Sequence, residues 1–446
     1  MLHRSSRRSF LKTVAATGVA ASLSAASWSR VYGANGRLRV ASIGVGGKGW
    51  SDLTATAASP KVDVVALCDI DESKEHLGRA AEKFPQAKRY TDWRKLYENA
   101  SDFDAVIVST PDHMHAPISL PAMQLGKHVQ CQKPLTHTVF EARQMRQAAK
   151  KFGIVSQMGN QIQSHQAYRT AVKLVHDGTI GKVKAVHSWQ SGALGWILVD
   201  DRPKGSEPVP ATLHWNDWLG VAPERPYLPK IYHSFNWRAW QDFSNGQLGD
   251  FGCHILDPVF MALKLTAPRS IQADASPMNR EIWYRKSKVT YEFPGTELTA
   301  GDSLPLTWYD GAGHMPSPES LGLGEKVQLP GSGSVLLGEK GALIIPHVAM
   351  PKLLPDEKFA DFKIPEVPAR DHYTSWAHAC LGEDQATSHF DYSGPLTETV
   401  LLGTIAIRLT GNKLAWNAEK MELTGHAAAQ GLLTKPYRSG WEPKWI

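Results

Sequence analysis

The run RLRVASIGVGGKG, residues 37–49, restricts what this chain can fold into more than any other stretch. A short β-branched strand ends in Gly44, Gly46 and Gly49, spaced GxGxxG, and a helical stretch, Ser51 to Ala58, follows. The first glycine permits a tight turn. The second lets a pyrophosphate approach the backbone, and the third lets the helix pack closely on the strand. Unpaired N–H groups and the helix dipole then favour negative charge at the helix start. The next strand, VDVVALCDID, ends in Asp69, where a carboxylate accepts hydrogen bonds from adenosine ribose hydroxyls. A carboxylate repels a 2′-phosphate, so NAD is expected, with NADP the second choice.

Two more apolar runs, FDAVIVSTP and HVQCQKP, follow, with helical stretches between them at Ser73 to Phe84, Ala116 to Leu125 and Val139 to Phe152. Strands alternating with helices imply βαβ units on a parallel sheet, here over residues 38–158. The alternation breaks near Gly159. A helix ending near Gly178, loops rich in Pro and Trp, and strands such as KVTYEFP, ELTAGD and PLTWYDG come next. GSVLLGEKGALIIP reads as a hairpin turning at Glu339 to Gly341, and PLTETVLLGTIAIRLTG as a helix stopped by Gly411. Residues 159–446 are therefore expected to form an α+β domain with a mostly antiparallel sheet.

The first 34 residues stand apart. SRRSFLK, with Arg7 and Arg8 paired, precedes an Ala-rich apolar run, Thr13 to Ala26, too short for a confident membrane span. This resembles a twin-arginine signal, so export to the periplasm and no membrane association after cleavage are expected. Of 49 basic and 43 acidic residues, five basic ones and no acid lie in this segment, which leaves the remainder nearly neutral. No nucleic-acid partner is implied. Cys68, Cys131, Cys253 and Cys380 are widely spaced and read as buried free thiols. His128, Cys131 and His137 are metal-ligand types within ten residues. The strand spacing sends His128 and Cys131 to opposite faces, so no metal site is read there.

STPDHMHAP (Ser109 to Pro117), the QKP at Gln132 to Pro134 and NGQLGDFGCHILDP (Asn245 to Pro258), behind this glycine loop, resemble the Gfo/Idh/MocA oxidoreductases. The resemblance runs from about Arg39 to about Arg408. It implies a Rossmann domain followed by an α/β domain with a large, mostly antiparallel open sheet, so that residues 159–446 serve substrate binding and oligomerisation, often as a dimer or tetramer. It places Lys133 beside nicotinamide and substrate, often ahead of a cis proline bond. It makes Asp250 and His254 the partnered acid and histidine, and sets Thr110, Pro111 and His115 along the nicotinamide ribose. The family usually has Glu before this lysine, whereas this chain has Gln132.

Oxidising an alcohol sends a hydride to nicotinamide and a proton to a base. A desolvated lysine near cationic NAD⁺ has its charged form disfavoured. Histidine titrates near neutrality without help. Asp250 and His254, four apart on a helix, project from one face. Lys133 and His254 are thus the expected proton-transfer pair, with Asp250 orienting substrate or imidazole. Six tryptophans fall within residues 189–240, and Trp237 and Arg238 are the expected substrate contacts, stacking on and hydrogen-bonding a carbohydrate. An exported enzyme lacks a replenished NAD pool, so the cofactor should be tightly held through redox-neutral cycles. The expected activity is oxidoreduction of a sugar, cyclitol or glycoside. An NAD-dependent glycosidase and a non-catalytic nucleotide-binding sensor are the alternatives.

Overall fold

The computed structural model describes residues 36–442, so the signal expected at residues 1–34 lies outside the described residues. Six strands form the first sheet: β1 (Leu38–Ile43), β2 (Val62–Cys68), β3 (Lys88–Tyr90), β4 (Ala105–Val108), β5 (His128–Cys131) and β6 (Ser156–Met158). Their order is β3-β2-β1-β4-β5-β6, and every ladder is parallel. All residues of β4 and β5 are buried, as a sheet covered on both faces requires. The strand order reverses between β1 and β4, where ligands bind such sheets beyond the carboxyl ends of the strands.

Helix α1 (Gly47–Thr56) follows the glycine loop, α2 (His115–Gln124) follows β4, and α3 (Val139–Lys151) follows β5. α3 begins where Thr138 and Glu141 satisfy each other's backbone N–H groups, at 3.2 and 3.0 Å. α4 (Gln166–His176), α5 (Gly246–Ile255) and α6 (Asp257–Leu263) belong to the second half.

The second sheet holds β7 (Val183–Gln190), β8 (Ser270–Ala275), β9 (Ser287–Pro294), β10 (Ser303–Asp310), β11 (Ser332–Gly338), β12 (Ala342–Pro346), β13 (Lys352–Leu354), β14 (Lys413–Asn417) and β15 (Glu422–Thr424). Its order is β13-β12-β11-β7-β10-β9-β8-β14-β15. Only the β7–β10 ladder is parallel among those described. The sheet is mostly antiparallel, as expected. β9 buries Val289, Tyr291 and Phe293 on one face and turns Lys288 and Thr290 outward. ELTAGD, expected as a strand, is the loop of the β9–β10 hairpin. There Thr296 N–H donates to Thr299 Oγ1 at 2.8 Å, which tightens the turn instead of extending it.

Two late helices bind the halves together. α7 (His372–Cys380) returns to the first sheet, where Trp376, Ala377 and Cys380 pack on Leu38, Val40, Val62, Ala105 and Ile107. α8 (Phe390–Arg408) runs between α3 and the second sheet, and Val400 and Leu401 share one core with Val108, Leu248 and Tyr291. The four cysteines are buried free thiols, as their spacing led us to expect. No described helix is long and apolar enough to cross a membrane.

Candidate active site

A cavity of about 760 Å³ opens at the carboxyl ends of β1, β2, β4 and β5, and α5 forms its opposite wall. Gly44, Gly46, Asp69, Thr110, Pro111 and Lys133 line it from the first domain. Trp237, Arg238, Asp250 and His254 line it from the second. Folding thus gathers all but two of the residues singled out in the sequence.

Those two act from behind the wall. A Cβ on Gly49 would strike the Gly44 carbonyl, so this glycine serves the close approach of α1 to β1. His115 was expected against the cofactor, but it is not among the residues that line the cavity. Its Nδ1 lies 2.8 Å from the Pro134 carbonyl and its Nε2 2.8 Å from that of Thr110, so it braces two loops. Burial, only partly offset by these contacts, lowers the imidazole to about 4, and a neutral ring donates to one of the two carbonyls only.

The glycine loop is shaped for a dinucleotide. Gly44 has φ +76°, and a Cβ there would stand 2.6 Å from the Ser109 carbonyl oxygen. Gly46 caps α1 without any side-chain bond, and the first turn carries no acid. An open, uncapped helix N-terminus suits a pyrophosphate. Asp69 accepts from Val45 and Gly46 N–H at 2.8 and 3.2 Å, so its carboxylate also holds the loop.

At the other end, the Lys133 ammonium donates to Asp250 Oδ1 at 2.6 Å and to the Asp250 carbonyl at 2.7 Å. The Lys133–Pro134 bond is cis. Gln132 stands where the family usually has a glutamate, and the carboxylate that pairs with this lysine is Asp250. Burial alone would raise the Asp250 carboxyl, but Lys133 and Arg238 hold it down at about 2. Arg238 Nε reaches Asp250 Oδ1 at 3.4 Å, and its guanidinium lies over Phe235 and Trp237, 4.5 and 4.4 Å from the ring centres. His254 is pushed well below its ordinary range by burial and then by Lys133. Its Nδ1 has no hydrogen-bond partner among the described residues, and the downward shift makes it a weaker base than an ordinary histidine.

Two carboxylates were missed. Asp52, fully buried on α1, accepts from Gln132 Nε2 and Ser109 Oγ, both at 2.8 Å, and from Tyr373 OH at 3.0 Å. The Lys48 ammonium also pairs with it. Gln132 is therefore a donor to a carboxylate supplied by another element. The only sequence signal was the i,i+4 spacing of Lys48 and Asp52. Asp112, buried at the cavity wall, accepts from Asn245 N–H and Nδ2 at 3.1 Å. Burial raises it to about 7, against the pull of Lys133.

The tryptophans divide as ring size demands. Trp189 and Trp240 are core residues. Trp215 stacks on Trp218 at 4.7 Å between ring centres, while Trp196, Trp218 and Trp237 reach the cavity. His128 and His137 face away from any shared ligand position. His128 Nδ1 accepts from Val155 N–H at 3.0 Å, and His137 Nε2 meets the Gln241 carbonyl at 2.9 Å.

Residues 38–160 match the model described as the oxidoreductase family, NAD-binding Rossmann fold. Residues 165–302 match its C-terminal alpha/beta domain. A levoglucosan dehydrogenase of Pseudarthrobacter phenanthrenivorans is 26% identical over 188 residues, 42% of this chain and 40% of that protein. A glycosyl hydrolase family 109 protein of Saccharopolyspora erythraea is 32% identical over 206 residues, 40% of this chain and 44% of that protein. These matches span less than half the length of either relative. The WlbA dehydrogenase from Bordetella pertussis, solved with NADH and UDP-GlcNAcA, superposes with a TM-score of 0.59 at 15% identity, covering 85% of this chain and 99% of that one. An aldose-aldose oxidoreductase from Caulobacter crescentus superposes with a TM-score of 0.54 at 17% identity, covering 85% and 99%.

Proposed function

The chain belongs to the Gfo/Idh/MocA oxidoreductase family, and from that premise we propose that it carries out NAD-dependent oxidoreduction of a sugar, cyclitol or glycoside. The observation that carries this reading is the Lys133–Asp250 pair, at 2.6 Å, in the same cavity as the uncapped glycine loop. When bound, NAD supplies the hydride acceptor. Lys133 Nζ exchanges the proton of the reacting hydroxyl, and Asp250 balances the charge on that nitrogen. Neutral His254 offers its unpartnered Nδ1 to a neighbouring hydroxyl. Trp237 and Phe235 present rings to the apolar face of a sugar, with Arg238 fixed against both. Asp69 favours NAD over NADP by repelling a 2′-phosphate.

The similarity to a glycosyl hydrolase family 109 protein supports a second reading. In it, oxidation of a sugar carbon is followed by elimination of the aglycone, hydration and reduction. Both readings use the same acid/base group and hydride acceptor. The Arg7–Arg8 segment supports export by the twin-arginine route to the periplasm with cofactor already loaded, and the family resemblance supports a dimer or tetramer. The test starts from purified protein. Denaturation should release NAD(H) near one equivalent per chain. A free sugar should then reduce the bound cofactor and need an acceptor for turnover. Release of p-nitrophenol from a glycoside without net redox change would select the second reading. A protein that neither contains nor binds NAD would end both.

A further inference from the structure

One polar cluster beside the cavity has no part in the chemistry above. Asp71 and His76 follow β2 in the first domain, and His233 comes from the loop of the second domain that crosses over them. His233 Nε2 lies 2.8 Å from Asp71 Oδ2, and His76 Nε2 lies 3.7 Å from the same oxygen. The three ligand-capable atoms all fall within 4.8 Å of one another. The side chains are only 11–16% exposed. A four-coordinate zinc ion with ligands about 2.0–2.2 Å away separates neighbouring ligand atoms by roughly 3.3–3.5 Å. The observed 2.8 and 3.7 Å straddle that spacing.

The surroundings orient the set. Asp71 Oδ1 accepts from Ser73 N–H at 2.9 Å, which leaves Oδ2 to face the imidazoles. His76 Nδ1 stands 3.6 Å from Asp69 Oδ2, on the ring's far side from the Nε2 that faces Asp71. Trp218 packs edge-on against the His233 ring. The backbones on either side of the domain seam are also joined, with Glu72 N–H on the Thr212 carbonyl at 2.8 Å and His214 N–H on that of Ile70 at 2.9 Å.

We propose that Asp71, His76 and His233 hold a divalent transition-metal ion of the zinc class. Two imidazoles and one carboxylate favour such an ion over Mg²⁺ or Ca²⁺, which take oxygen ligands. His76 and His233 line the cavity, so the remaining coordination position opens into it. The ion clasps the two domains together over the Asp69 end. A consequence that rests on the function proposed above is that metal removal speeds release of bound dinucleotide; the metal site itself does not depend on that function.

The test uses untagged full-length protein stripped of metal and titrated with Co²⁺. The expected result is visible d–d absorption saturating at one ion per chain and bleached by Zn²⁺. His76→Gln and His233→Gln should each lose this signal, whereas His214→Gln, on the outer side of the seam, should keep it. Near-ultraviolet circular dichroism verifies that each variant is folded. Absorption no stronger than that of aqueous Co²⁺ in the wild-type protein overturns the proposal, and so does a full signal in the folded His76 and His233 variants.

Discussion

Two carboxylates from different elements reach neighbouring residues of one loop: Asp250 pairs with the Lys133 ammonium and Asp52 accepts from the Gln132 amide. Lys133→Met should abolish turnover and leave NAD content unchanged, as read by assay of cofactor released on denaturation. Gln132→Glu would place a second carboxylate against buried Asp52, where the amide now donates at 2.8 Å. Like charges raise one of the two pKa values. The variant should lose about 1–3 kcal/mol relative to wild type at neutral pH. Because the raised group is neutral at low pH, that loss should shrink as pH falls in denaturant melts. Adding Asp52→Asn should restore much of the stability. Asp112, raised to about 7, stabilises the fold below the ordinary carboxylate range and loses that contribution as pH rises through about 7. Asp112→Asn should flatten the decline in the unfolding midpoint between about pH 4 and about pH 7. Lys133, Asp250 and His254 were legible because short contiguous motifs carry them. Asp52 and Asp112 were not, because their partners lie 80 and 133 residues away and only folding brings them together.

Among the elements, α5 and α8 set the height of the cavity wall. Gly403 on α8 lets that helix rest on Tyr291 and Leu248, and a Cβ would stand 2.6 Å from Leu248 Cδ2. Gly403→Ala should cost about 1–3 kcal/mol through overpacking. It should also push α5, with Asp250 and His254, toward the cavity. The measurements are a lowered Tm and a raised KM. Long elements were legible from periodicity: the β11–β12 hairpin and α3 lie where apolar spacing and turn residues put them. The three-residue strands β3 and β6 were not, since each is too short to carry a period and exists by pairing with a longer neighbour.

At the scale of the molecule, the two sheets were legible as a switch from alternating to antiparallel patterns, but their division of the chain was not. α7 lies more than two hundred residues beyond the expected boundary at residue 158 and still covers the first sheet. Its helical spacing gives no hint of which sheet it will meet. Trp376→Ala should therefore destabilise the dinucleotide domain by about 3–5 kcal/mol. A fragment ending at residue 160 should bind an apolar dye and digest rapidly under limited proteolysis. The same packing sets an order of events during synthesis. Leu38 and Val40 leave the ribosome more than three hundred residues before Trp376, the side chain that shields them from water. Over that whole interval the nascent chain carries a bare apolar face on its first sheet.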